Sequence, residues 1–330
     1  MVVAGFFDYS ESIGGPNTFG RCAITNVNGA LHVCGTTADG TLQHSIVGAN
    51  GFGDVGKATH NNPGDFGSVA SAAIGDDLHV VATTGNGRLY HTIRFAADRH
   101  WQDFGDVKLV APSAGVGGFG NVGCAAHGAD LWVCGTTGDG WYTVRRSAGG
   151  WDTFKSLKQT AYTGDVGSIS AVSLWERPDL GDGHVQVAFT GEDGVIYYNW
   201  IDPQTNDWTY AAGWPNTGTG ITQQQGFGGV GTATFPGAGS GNPGSQDIAF
   251  VTSRGSGDFM QGSFDHAADP VLGLPGVWWH SVKSGGGGDV GAFGSAACTV
   301  VNGDMVMAGT TASGHIWLIR RRGDDDFGWP

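Results

Sequence analysis

Leu78-His79-Val80-Val81-Ala82-Thr83-Thr84-Gly85-Asn86-Gly87-Arg88-Leu89-Tyr90-His91-Thr92-Ile93-Arg94 is the stretch whose reading decides the fold. An apolar run meets a Gly-Asn-Gly turn and continues as an alternating run of β-branched and aromatic residues. That pattern predicts a β-hairpin. Versions of it recur at 31–46, 131–146 and 305–321. Each copy follows a Phe (Phe19, Phe66, Phe119, Phe293), with an aliphatic residue twelve positions on at Leu31, Leu78, Leu131 and Met305. Eleven further on stand Leu42, Leu89, Tyr142 and Ile316. Fixed spacing within one chain implies fixed strand lengths and turns.

Two more copies are degenerate. One begins near Val166, with strands expected at 185–190 and 195–200. The other begins near Phe227, with a strand at 247–253 whose partner is expected only at 277–283. Residues 254–276 therefore read as a long insertion replacing the short turn of the fifth unit. Each unit adds an apolar stretch before its hairpin and a Trp/Phe segment after it, such as 101–107, giving four strands. Four antiparallel strands in roughly 40–50 residues make one propeller blade. The expectation is an all-β, single-domain β-propeller over 1–330 with six four-stranded blades; seven would need a blade the sequence does not supply. Residues 325–329 resemble the outer strand at 102–105, and 2–7 compete with them to close the ring.

Composition agrees with short strands and tight turns. The 330 residues include 61 Gly and 12 Trp, with only 14% charged, against about 25% in a typical domain. The net charge of −14 argues against nucleic acid and anionic membranes, whose phosphates need a positive face. No apolar run approaches the ~18 residues of a membrane span. No signal peptide is visible, so the expected location is cytoplasmic, or outside the cell by a non-classical route. Five Cys without a CxxC pair read as small apolar core residues. No P-loop, GxSxG, HExxH or EF-hand loop occurs, so neither a cofactor nor a metal is expected. An oligomer is compatible with the sequence.

Candidate site residues come from recurrence. His44, His91 and His280 are read as one repeat position in the third strand, and Tyr90, Trp279 and Trp317 as another, with Trp132 and Trp141 nearby. Recurrent His argues for hydrogen bonding between blades or for several equivalent sites, because a catalytic His is normally unique. The Gly-Asp-Val connectors, including Asp106, offer carboxylates that either accept hydrogen bonds from a ligand or cap their own turns. Tyr90, His91, Asp106, Trp132, Trp141, Trp279, His280 and Trp317 form the candidate ligand-binding set. The alternative is an enzyme with one pocket under the 254–276 loop, with Asp258 and His266 as acid and base beside Arg254.

The strand-turn-strand pattern at 31–40 and 89–94, with the Trp101-Gln102-Asp103-Phe104-Gly105-Asp106-Val107 segment, resembles the bacterial seven-bladed propeller lectins of the Photorhabdus type. The likeness covers roughly 19–154 and 288–321 and is poor between 163 and 287. It implies a multivalent, metal-independent lectin with shallow sites between blades for fucose-like or O-methylated sugars. Glycans are then the expected partners.

Overall fold

A computed structural model describes residues 3–113, 115–138, 140–156, 171–177, 184–190, 194, 196–202, 207–208, 212–213, 227–236, 246–254, 257–265, 276–284, 288–321 and 327–329. The strands form six antiparallel sheets of four to six strands, in agreement with the six blades expected. Their inner strands, Phe19–Val27, Phe66–Ile74, Phe119–His127, Ala171–Arg177, Phe227–Pro236 and Ala297–Val301, each neighbour the next, and the last returns to the first.

The ring closes inside the sixth blade. Phe327–Trp329 pairs with Ile316–Arg321, and Val3–Ala4 pairs with Phe327–Trp329. Phe7–Asp8 also joins Ile316–Arg321, in the register that Gly53–Asp54 and Gly105–Asp106 use in blades one and two. Both ends of the chain therefore contribute to closure.

Two expectations are corrected. Residues 254–276 are not an insertion: Phe259–Asp265 is the third strand of blade five, and Gly276–Ser281 is its fourth. Phe227 lies opposite Arg254 as Phe19 lies opposite Thr37, and Ser253 lies opposite Phe259, so the third strand begins five positions after the second ends. The match with 277–283 failed because apolar Trp-containing runs serve as third and fourth strands alike. Second, the third blade has a hairpin one residue shorter, so Trp141, not Tyr142, is equivalent to Leu42 and Leu89.

The core is distributed: each of five blade junctions holds its own apolar cluster. Between blades one and two, Cys34 and Leu42 meet Val80, Ala82 and Phe104. Burying such aliphatic or aromatic side chains stabilises by roughly 2 kcal/mol apiece. This explains strands that are apolar on both faces. All five Cys are free and buried, and burial pushes the Cys22 thiol up to about 11 and Cys34 up to about 12.

Hydrogen bonds repeat at the junctions. The backbone N–H of Phe66, Phe119, Phe293 and Phe19 donates to the carbonyl of Gly40, Gly87, Gly257 and Gly314 in the preceding blade's turn. Gly87 holds φ +76°, and an added Cβ would stand 2.6 Å from Gly118 Cα. The turn glycine thus serves the left-handed backbone and the close approach of the next blade. Threonines add a second link: Thr36, Thr83 and Thr310 donate to the carbonyls of Gly67, Gly120 and Gly20.

Candidate functional site

Three equivalent positions mark the outer corner of blades one, two, five and six. They are the residue just before the third strand, the residue two places on, and the outer-strand residue opposite it. In blade two these are Arg88, Tyr90 and Asp106, with Tyr90 and Asp106 in register. The Arg88 guanidinium donates to Asp106 at 2.8 Å, and the carboxylate side chain is only 8% exposed. In blade six they are His315, Trp317 and Asp8, with Asp8 opposite Trp317. His315 Nδ1 contacts the Asp8 carboxylate, and its ring stacks on Trp317 at 6.3 Å.

At three corners the outer-strand carboxylate is positioned by its own backbone. Asp8, Asp54 and Asp106 are the N-caps of one-turn helices at Tyr9–Ser12, Val55–Ala58 and Val107–Val110. They accept from the N–H of Glu11, Lys57 and Lys108 respectively. A cap residue is held in extended backbone with its oxygen turned toward the helix start, leaving lone pairs for another donor. Blade one carries Thr41, Gln43 and Asp54, with Gln43 Nε2 donating to Thr41 at 3.1 Å. Blade five carries Asp258, Met260 and Ser281, and the Ser281 hydroxyl donates to Asp258 at 3.0 Å.

Tyr90 and Trp317 are half-buried at these corners. Tyr90 packs edge-on to Phe66 and Phe104, and the Trp317 indole N–H donates to Thr311 Oγ1 at 3.3 Å. Thr311 also lines a cleft of about 620 Å³, bounded by the blade-six turn and by Asn17 and Thr18 at the start of blade one. Carboxylate, nitrogen donor and aromatic face are the three elements that recognise a polyol with one apolar face.

The remaining candidates lie apart. His91 is buried in the hairpin, where its Nε2 is 3.1 Å from His79 Nδ1; His44 and His32 make the same contact at 3.0 Å. Trp151 and Trp101, each from the following blade, lie edge-on to His91 and His44. Burial drives all four imidazoles toward the neutral form, His32 and His79 to about 4 and His44 to about 3, with His91 well below its usual value. Trp132 and Trp141 are core residues, the latter's ring 3.9 Å from that of Phe189.

The fifth-blade expectations move with the corrected register. Gln261, not His280, is equivalent to His44, and Trp279 lies on the outer strand opposite Gly262. The side chains of Trp279, His280 and Arg254, and the whole of His266, lie outside the described residues. Asp258 accepts from Ser281 at the corner, and Phe259–Asp265, expected within a loop, is a strand. The described residues lining the axial channel include no carboxylate. Sequence reasoning missed Arg88, His315 and Asp8; the first two were marked only by directly preceding the third strand.

No family model and no curated protein matches the chain. Solved structures do. The Aleuria aurantia lectin, described as a six-bladed β-propeller with a novel fucose recognition mode, superposes with a TM-score of 0.57 at 12% identity, covering 96% of this chain and 98% of that one. A triple mutant of AofleA from Arthrobotrys oligospora gives 0.62 at 14%, covering 99% and 89%. The NanB sialidase of Streptococcus pneumoniae gives 0.61 at 10%, covering 94% and 69%. These likenesses establish the six-bladed propeller fold. Among the described residues, no helix is long and apolar enough to cross a membrane.

Proposed function

We propose that this protein is a carbohydrate-binding lectin with several shallow sites at its blade corners, taking fucose-like or O-methylated sugars without a metal. The observation that carries the reading is the recurrence of one chemical set at two corners: Arg88, Tyr90 and Asp106, and His315, Trp317 and Asp8. Recurrence fits multivalent binding, whereas an enzyme concentrates its chemistry at one place. The lectins among the structural neighbours include one bound to α-methyl-L-fucoside, which supports the choice of sugar.

Glycan-array screening followed by calorimetric titration with L-fucose and its O-methyl derivatives tests the proposal. More than one sugar should bind per chain, with affinity unchanged by chelator. Asp106→Ala and Asp8→Ala should each remove one site. Absence of glycan binding, or one ligand per chain insensitive to both substitutions, would refute the reading.

A further inference from the structure

Four inner strands open with Phe-Gly-X (Phe19-Gly20-Arg21, Phe66-Gly67-Ser68, Phe119-Gly120-Asn121 and Phe227-Gly228-Gly229), and Phe293-Gly294-Ser295 stands just before the sixth. In the first four the register shifts immediately after the Phe, the signature of a β-bulge. The bulge gathers the first four of these X residues around one end of the channel. Arg21, Ser68, Asn121 and Gly229 line a cavity of about 40 Å³ there, walled by Cys22, Val69, Val122 and Val230. The same apolar wall continues into a deeper space of about 80 Å³ on the axis.

Arg21 is the one charged residue among the five. Its guanidinium donates to the Gly294 carbonyl at 3.2 Å, and no carboxylate pairs with it among the described residues, although the chain holds 30 acidic ones. Burial lowers its pKa from the usual arginine value. The residue is half-buried, and a guanidinium has five donors, of which the Gly294 carbonyl takes one, so the others remain available to an anion. Beside it, the buried Ser68 hydroxyl accepts from the Val122 N–H at 3.3 Å, which leaves its own proton to donate. Unlike the corners, this place occurs once per ring.

We infer that the mouth of the axial channel seats the carboxylate of a small acidic ligand, with the Arg21 guanidinium as counter-ion and the Ser68 hydroxyl as second donor. The space beside Arg21 and Ser68 is small, so the carboxylate is the part seated there and the rest of the ligand lies toward the open side. A planar carboxylate suits the guanidinium fork. The inference is independent of the blade-corner reading, because it uses different residues and a different ligand charge.

Calorimetric titration of the full chain with sodium acetate and with D-glucuronate tests it, with D-glucose as the neutral control and L-fucose as a report on the corners. One saturable site per chain is expected for an acid and none for glucose. Binding of both acids would assign a site for any small carboxylate; binding of glucuronate alone would assign one for acidic sugars. Arg21→Gln should weaken that binding about tenfold or more, the loss expected for a charge-assisted pair, and leave the response to L-fucose unchanged. If Arg21→Gln does not fold, Ser68→Ala keeps the guanidinium and should weaken binding several-fold. No saturable binding of either acid, equal binding of glucose, or binding unaffected in a folded variant would overturn the inference.

Discussion

Acid should loosen this protein through its paired histidines, well before most carboxylates protonate. His32, His44, His79 and His91 are buried and neutral, with His32 and His79 held near 4 and His44 near 3. In the unfolded chain each returns to about 6.5. The unfolded state therefore binds protons that the folded state refuses, and stability falls as pH drops through 6.5 toward 4. Above about pH 7.5 the effect is absent. At about pH 5 each histidine lies some 1.5 pH units below its unfolded value, a loss of about 2 kcal/mol apiece. The perturbation is His44→Gln with His91→Gln, chosen because blade five carries Gln261 at the equivalent position. Denaturant unfolding at about pH 7.5 and about pH 5 should show the wild-type chain losing roughly 4 kcal/mol more than the double variant. Equal losses in the two proteins, or a wild-type chain more stable at the lower pH, would refute the reasoning.

Gly87→Ala should cost roughly 2 kcal/mol or more in denaturant unfolding, since the new Cβ meets Gly118 Cα. Gly48→Ala, at φ +93° with nothing within 4 Å, should cost only about 1 kcal/mol. Asp106→Ala removes a helix cap and the Arg88 pair, and should lower stability by about 1–2 kcal/mol besides abolishing one sugar site. The five thiols should resist a disulfide exchange reagent in the native protein and react together on unfolding; fast labelling without denaturant would contradict their burial.

Most of the ring was legible because repetition converts weak local signals into strong ones. The hairpins at 31–46 and 78–94 keep their spacing, so blade number followed from counting. Blade five was misread because its third strand, Phe259–Asp265, carries Phe259 and Met260 where blades one, two and six carry Leu42-Gln43, Leu89-Tyr90 and Ile316-Trp317. Nothing in residue types separated it from a loop when 277–283 offered a more apolar match. Recurrence sets the histidines apart from a catalytic group, but their bond lies within one blade and only the tryptophan crosses the junction. The corners were half visible. Tyr90, Asp106 and Trp317 came from recurrence, whereas Asp8 hid in Phe7-Asp8-Tyr9, which lacks the spelling Gly-Asp-Val and belongs to the last blade only through closure. Register, which no composition reports, brings Arg88 and His315 to their carboxylates.

The glycine-turn bond to the following blade has a consequence for how the molecule comes apart. A row of blades can shed one from its end by breaking a single contact. In a closed ring the bond from Phe19 to Gly314 is the same kind of link as those from Phe66 to Gly40 and from Phe119 to Gly87. Opening one junction therefore frees no blade, because both neighbours stay held from the other side. Two junctions must open together before anything is released. The unfolding rate should accordingly depend on the weakest pair of junctions, and strengthening the single weakest one should slow unfolding only until the next weakest takes its place.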